Sequence, residues 1–292
     1  RAAVWDHALA ARRDPGREAA MLRTLADTIA AAGDLPRATE LYEHLQIRQA
    51  DSPEARILLA ACRRRGGDAS GAATALGADV DVFAYTAHME RYLQGLPADT
   101  VLSSLPAMPP DRPWGPIYRS ELLLEAVLLY WRMGFHDDVV RLLDWLTICH
   151  PPLSQHPLNH LLRLDAATFS GDEDRAKAEA HSAAGCTMEW VVPSRWEEGI
   201  LIDRAIARLS PENAGNLLYL QAILKAETQQ TEEAVAILQQ VEAQTRSTCR
   251  GYAATALADW ADRVKGDRHE AAQHLETALL AQPGDRRLVL HL

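Results

Sequence analysis

The 292-residue chain is 48% hydrophobic and 24% charged, a balance that supplies a sizeable core and excludes a disordered polypeptide. Its net charge of −10 and pI of about 5.6 repel phosphate backbones and anionic membrane surfaces on average, so neither nucleic acid nor membrane is expected as a partner. Aromatic residues make up only 6% and the apolar content is dominated by Ala and Leu, which predicts an all-α fold.

The four cysteines, Cys62, Cys149, Cys186 and Cys249, form no C-x-x-C pair, so neither a zinc site nor a disulfide framework is expected. They read as buried thiols in a reducing compartment, and with no signal peptide or long apolar run the expected location is cytoplasmic. No cofactor is implied.

In chain order, Ala2 to Arg13 reads as the last helix of an earlier hairpin closed by Pro15, so a preceding unit is expected. From Arg17 the chain turns at Gly33-Asp34, with Ala38 five residues on and Tyr42 four beyond that. The next turn, Gly67-Asp68, follows by 34 residues, with Ala72 and Leu76 in the matching places. A spacing equal to a repeat length is the strongest signal present. RRRGG at 63–67 is the densest basic run, and the dipole at a helix C-terminus accounts for it without a phosphate ligand.

From Gly77 to Pro116 the pattern loosens. Val80 to Leu96 reads as one helix, LPADTVLSSL as another, and prolines at 106, 109, 110, 113 and 116 mark an irregular connection. Gly134 lies 67 residues beyond Gly67, nearly two periods. The expected organisation is therefore 1–77 as early repeats, 78–116 as a connection and 117–292 as later repeats.

The clearest unit runs from Ile117 to Pro151. Leu123, Val127, Tyr130 and Trp131 keep helical spacing before Gly134, as do Val139, Leu142, Leu143 and Leu146 after it, and Pro151 stops the second helix. The next turn is Gly171-Asp172, with Ala176, Ala180 and Ala183 as small packing residues. Ser194 is the expected N-cap of a further helix, with Glu197 completing a capping box and Pro211 closing the segment. Gln229-Gln230 then occupies a turn, and Gly266, Ala271, Leu275, Ala278 and Pro283 form the last full unit. Arg286 to Leu292 reads as the start of another helix.

The turn glycines 33, 67, 134, 171 and 266, with Ala38, Ala72, Val139, Ala176 and Ala271 five residues on, resemble tetratricopeptide repeats. That resemblance implies a right-handed α-solenoid of about twelve to fourteen helices. A narrower resemblance rests on WVVPSRWEE at 190–198, LLYLQAIL at 217–224, EEAVAIL at 232–238 and STCRGYA at 247–253. These look like the C-terminal helical repeats of large bacterial proteins grouped as domain of unknown function 5107. Gly251 departs from the Asn usual in that group. This likeness implies an accessory region of a larger, carbohydrate-associated protein.

In such solenoids the first helix of each hairpin lines the concave face, at positions thirteen, ten, six and three before the turn. Early repeats place Ala20, Arg23, Asp27 and Ala30, then Glu54, Ile57, Ala61 and Arg64 there. Later repeats are more apolar, and the expected groove residues are Leu124, Leu128, Trp131, Leu161, Tyr219, Ile223, Trp260 and Arg263. An apolar stripe of that kind is expected to be covered by a partner protein or peptide, or by a neighbouring domain of the same chain; burial in an ordinary core is the competing outcome.

His150, His156 and His160 lack a zincin pattern and read as capping or surface residues. The pairs Asp137-Asp138, Glu197-Glu198 and Glu232-Glu233 sit where helices begin, which the helix dipole explains. The expected function is a non-enzymatic scaffold. The alternatives are a toroidal (α/α) enzyme acting on carbohydrate and the ligand-sensing repeats of a regulator.

Overall fold

The computed structural model describes residues 15–49, 52–77, 84–104, 115–188 and 191–282. The helices expected at 2–13 and 286–292, the proline-rich stretch 106–114, the start of the helix expected from Val80, Trp190 and Pro283 lie outside these residues. The described residues hold fifteen α-helices and no strand, one helix above the expected range. They are α1 (Pro15–Ala31), α2 (Leu35–Arg48), α3 (Pro53–Arg65), α4 (Ala69–Leu76), α5 (Ala84–Leu93), α6 (Ala98–Ser104), α7 (Gly115–Arg132) and α8 (His136–Cys149). After them come α9 (Pro157–Phe169), α10 (Glu173–Gly185), α11 (Trp196–Ile206), α12 (Gly215–Glu227), α13 (Thr231–Ala243), α14 (Arg250–Trp260) and α15 (Arg268–Ala281). Consecutive helices pack in pairs, which makes the protein an all-α solenoid of tetratricopeptide-like hairpins.

The regular hairpins reverse within three residues by one device. The first helix ends on a residue in the left-handed region: Gly33, Gly67, Gly134, Gly171 and Gly266 all have φ between 69° and 87°. The amide that follows reaches back five residues to a helix carbonyl, as in Asp34 N–H to Ile29 O at 3.2 Å and Asp172 N–H to Ala167 O at 2.9 Å, which satisfies carbonyls the helix would leave orphaned. Where that residue is Asp, at 34, 68, 172 and 267, its side chain also caps the second helix; Phe135 and Gln230 make no such bond. Asp68 accepts from Gly71 N–H at 2.8 Å, and Asp267 from His269 and Glu270 N–H at 3.1 and 3.0 Å. At the last turn, residues 261–265 form one π-helical turn before Gly266.

Small residues five positions after each turn let the paired helices approach closely. Ala38, Ala72, Val139 and Ala176 are fully buried, and Ala234 and Ala271 nearly so. Positions twelve after the turn, Leu45, Leu146, Ala183, Val241 and Ala278, are sealed as well.

The chain forms two compact units, 1–151 and 152–292. The boundary between them falls at the double proline 151-152. Within the first unit, α5 and α6 form a degenerate hairpin turning at Gly95 (φ 98°). Leu96 N–H reaches Arg91 O at 3.1 Å there, the same reversal device. Gly95 lies 28 residues after Gly67 and 39 before Gly134, so the near-double period masks one short and one long unit. In the first unit α5 packs on α3, α7 and α8, and α1 approaches α7. In the second, α9/α10, α12/α13 and α14/α15 are regular hairpins and α11 is an additional helix packed against both α9 and α12.

One turn departs from glycine. Gln229 adopts φ 62°, a conformation costing an L-residue about 1–2 kcal/mol. Gln229→Gly is therefore expected to stabilise the protein by about 1 kcal/mol in urea titration. Gly134→Ala should do the opposite by at least that amount, since an added Cβ would meet Ala31 Cα at 2.9 Å as well as the left-handed backbone.

Candidate binding surface

The eight expected groove residues divide into three groups. Leu124, Leu128 and Leu161 are sealed in the core, at 0%, 0% and 2% exposure. Trp131, Tyr219, Ile223 and Trp260 are half-buried, and Arg263 is exposed and paired to Asp259 at 2.6 Å. The sealed leucines correct the expectation that the whole stripe faces a partner. Their helices are also packed by the irregular ones: α5 packs on α7 and α8, and α11 packs on α9.

In the first unit the concave positions of the early repeats are polar and joined to one another. Arg23 pairs with Glu54 at 2.8 Å and stands near Asp27, which accepts a 2.5 Å hydrogen bond from the Tyr42 hydroxyl. Burial raises the Asp27 pKa and pushes the Tyr42 pKa above the usual phenol range, with the neighbouring carboxylate adding to it. Arg64, at the end of α3, forks between two helices. Its guanidinium meets Glu90 of α5 at 2.8 and 3.3 Å and Asp138 of α8 at 2.8 and 3.3 Å, and Tyr130 donates to Glu90 at 3.0 Å. Glu90 and Asp138 are 0% and 1% exposed. Burial raises the Glu90 pKa even though Arg64, Gln94 and Tyr130 favour its charged form, whereas the two carboxylates hold Arg64 firmly protonated against its own burial. The groove position of Arg64 is thus filled by the protein's own helices.

In the second unit α11 is held across the first helices of its neighbours. Arg204 pairs with Asp165, an expected groove position of α9. Gln221 of α12 donates to Asp203 at 2.6 Å, and Arg208 reaches Glu173 at 3.0 Å. Gly199 faces Leu224, whose Cδ1 would lie 3.7 Å from an added Cβ. The cap of α11 lies one residue later than expected. Glu198, not Glu197, accepts from Ser194 and Arg195 N–H at 2.7 and 3.2 Å, while Glu197 turns inward and is buried.

Further along, α12 and α14 leave an aromatic surface. Tyr219 and Tyr252 lie 6.0 Å apart, centroid to centroid, and Lys265 sits 4.3 Å above the Trp260 ring. Burial brings Tyr219 up to about 12 and Cys249 up to about 12. Asn216, placed in the groove by repeat register, instead joins repeats. It donates to Ala184 O at 2.8 Å and accepts from Ser247, Thr248 and the Cys249 N–H.

The histidines do not form a ligand set, and no cluster suited to a metal occurs among the described residues. His156 caps α9, accepting from Leu158 N–H at 3.3 Å, and His150 lies 3.0 Å from the Ser120 hydroxyl. His160 faces acceptors through both ring nitrogens, Glu179 at 2.7 Å and Ser154 O at 3.0 Å. Burial alone would lower its pKa, but Cys186, Glu179 and Ser154 outweigh it and raise it to about 10. The four cysteines are free, and all but Cys149 are buried. No helix among the described residues is long and apolar enough to cross a membrane.

Glu90 and Asp138 could not be identified from repeat spacing, because Glu90 sits where the motif is lost. Asp138 had been read as a dipole-favoured residue of a helix start, a role it also keeps.

Two outcomes follow. Arg64→Ala leaves two buried carboxylates without their cation and should cost about 3–5 kcal/mol, read as a lower denaturation midpoint for the first unit. His160 titrates at about 10 in the folded chain and at about 6.5 when unfolded. Its contribution is complete below pH about 6.5 and is lost as pH rises towards about 10. The melting temperature should fall across that window, and His160→Gln should flatten the fall.

Comparison with known families finds no matching family profile, and no curated protein matches in sequence. The narrower likeness to domain of unknown function 5107 is therefore not supported. Among solved structures, the chain aligns with the C-terminal part of a tetratricopeptide repeat-containing protein from Cytophaga hutchinsonii at 13% identity, over 92% of this chain and 99% of that one, with a TM-score of 0.24. A likeness that low carries no argument, and the fold assignment rests on the hairpins of this chain.

Proposed function

We propose that the chain is a non-enzymatic repeat scaffold that binds a peptide or helix of another protein, or of a neighbouring domain, through the first helices of its second unit. The observation that carries this reading is the contrast between the two sets of concave positions. In the first unit Arg64 ends in a sealed ion cluster made with α5 and α8, Leu124 and Leu128 are buried, and Trp131 is half-buried. On α12 and α14, Tyr219, Ile223 and Trp260 remain partly open, with Lys265 4.3 Å above the Trp260 ring. Half-open Tyr and Trp flanked by a cation are the side chains that dominate binding energy at protein interfaces.

The role within a larger, bacterial, multidomain protein and a cytoplasmic location belong to this proposal. So does the organisation into early repeats (1–77), a connection (78–116) and later repeats (117–292).

A random-peptide display library selected on the full chain tests it. Enriched peptides are expected to bind Trp260→Ala and Tyr219→Ala at least about tenfold more weakly, with melting temperatures lowered by no more than a few degrees. Peptides that bind these variants as well as the parent chain would remove α12 and α14 from the interface. A collapse in stability would make the two aromatics core residues.

A further inference from the structure

Four aromatic rings of the second unit carry hydrogen-bond donors that the chain does not use. Tyr252, Ala256 and Trp260 follow one another at four-residue intervals along α14, the two aromatics half-buried and Ala256 exposed. Tyr219 of α12 meets Tyr252 with centroids 6.0 Å apart and planes inclined by 36°. On the other side of α12 lies α11, whose Gly199 faces Leu224 and whose Asp203 accepts from Gln221. Trp196, three and seven residues before those two, shares their side of α11 and is 69% exposed. Repeat register does not reach Trp196, because α11 belongs to no hairpin. Among the described residues, neither tyrosine hydroxyl and neither indole N–H of these four donates to a protein group; the contacts of the rings are Tyr219 with Tyr252 and Lys265 over Trp260.

Rings with unused donors suit a ligand that brings apolar surface and hydrogen-bond acceptors together. An α-helix has already given its backbone carbonyls to its own amides. A polyproline II segment has not: it makes no internal hydrogen bonds, its carbonyls face outward, and at each proline there is no N–H to leave unpaired. Tyr252 and Trp260, eight residues apart on one helix, stand about 12 Å apart along its axis, which such a segment spans in about four residues. The cations beside the rings are matched already. Arg263 pairs with Asp259 at 2.6 Å, Lys265 with Glu270 at 2.9 Å and Lys225 with Glu233 at 2.8 Å, so an acidic peptide finds no unshared cation there.

We propose that the aromatic face of α11, α12 and α14 binds a proline-rich segment of another protein in the polyproline II conformation. Its pyrrolidine rings pack on Trp196, Tyr219, Tyr252 and Trp260, and the hydroxyls and indole N–H groups donate to its carbonyls. This rests on the groove reading above and narrows it from a peptide or helix to one backbone conformation. It also adds Trp196 and Tyr252 to the site.

The test is fluorescence anisotropy on the full chain with labelled decaproline, against a neutral helical peptide of Ala, Gln and Leu and a Gly/Ser peptide of equal length. Decaproline is expected to bind and the other two not. The double variant Tyr219→Phe, Tyr252→Phe keeps both rings and removes both donors, and should weaken decaproline at least about fivefold. Trp196→Ala should do the same, with melting temperatures of all these variants close to the parent. Decaproline bound equally by the parent, the phenylalanine variant and Trp196→Ala would overturn the proposal, as would its failure to bind. Binding of the helical peptide alone, lost on Trp260→Ala, would leave the groove reading standing and overturn this one. Decaproline binding that Trp260→Ala leaves unchanged would remove both.

Discussion

The fold depends on reversing a helix within three residues. A left-handed residue closes the orphaned carbonyls of one helix, and at four of the turns the Asp that follows also caps the orphaned amides of the next. Because the reversal is so short, the two helices are forced side by side, and the small residue five positions on is forced into their contact. Close packing of Ala38, Ala72, Val139, Ala176, Ala234 and Ala271 is a consequence of that geometry. Gln229 shows that the conformation, not the glycine, is required: the backbone reaches φ 62° there despite the strain.

Two helices depart from this scheme and shape the binding properties. The α5 helix supplies Glu90 to Arg64, and α11 supplies Arg204 to Asp165. In both cases a charged residue at an expected concave position finds its partner within the chain. The desolvation of Glu90 and Asp138 is balanced only while Arg64 is present, so the first unit is specified by a charge arrangement as much as by its apolar core.

The hairpins were legible in the sequence because each turn carries a local signature. Gly33, Gly67, Gly134, Gly171 and Gly266 were identified from spacing alone, and all are left-handed. What spacing could not give was which face of each first helix stays open. Leu124, Leu128 and Leu161 have the same register as Tyr219 and Ile223, yet they are sealed, and their helices, unlike α14, carry the additional neighbours α5 and α11. Those two helices follow no period, and their placement is settled by long-range contacts such as Arg64 to Asp138. Gly95 was missed for a related reason: its hairpin is too short to keep the packing residues that mark the others. The one-residue shift of the α11 cap, from Glu197 to Glu198, reflects the ordinary difficulty of fixing a helix end from sequence.

The Arg64–Asp138 contact spans 74 residues, whereas hairpin pairing in the second unit joins neighbours in sequence. During synthesis the early repeats emerge with an arginine whose counterions have yet to be translated. The first unit can therefore close only after α8 has left the ribosome, and its completion carries the loop-closure entropy of a non-local pairing. The repeats of the second unit, by contrast, can add one at a time as the chain lengthens.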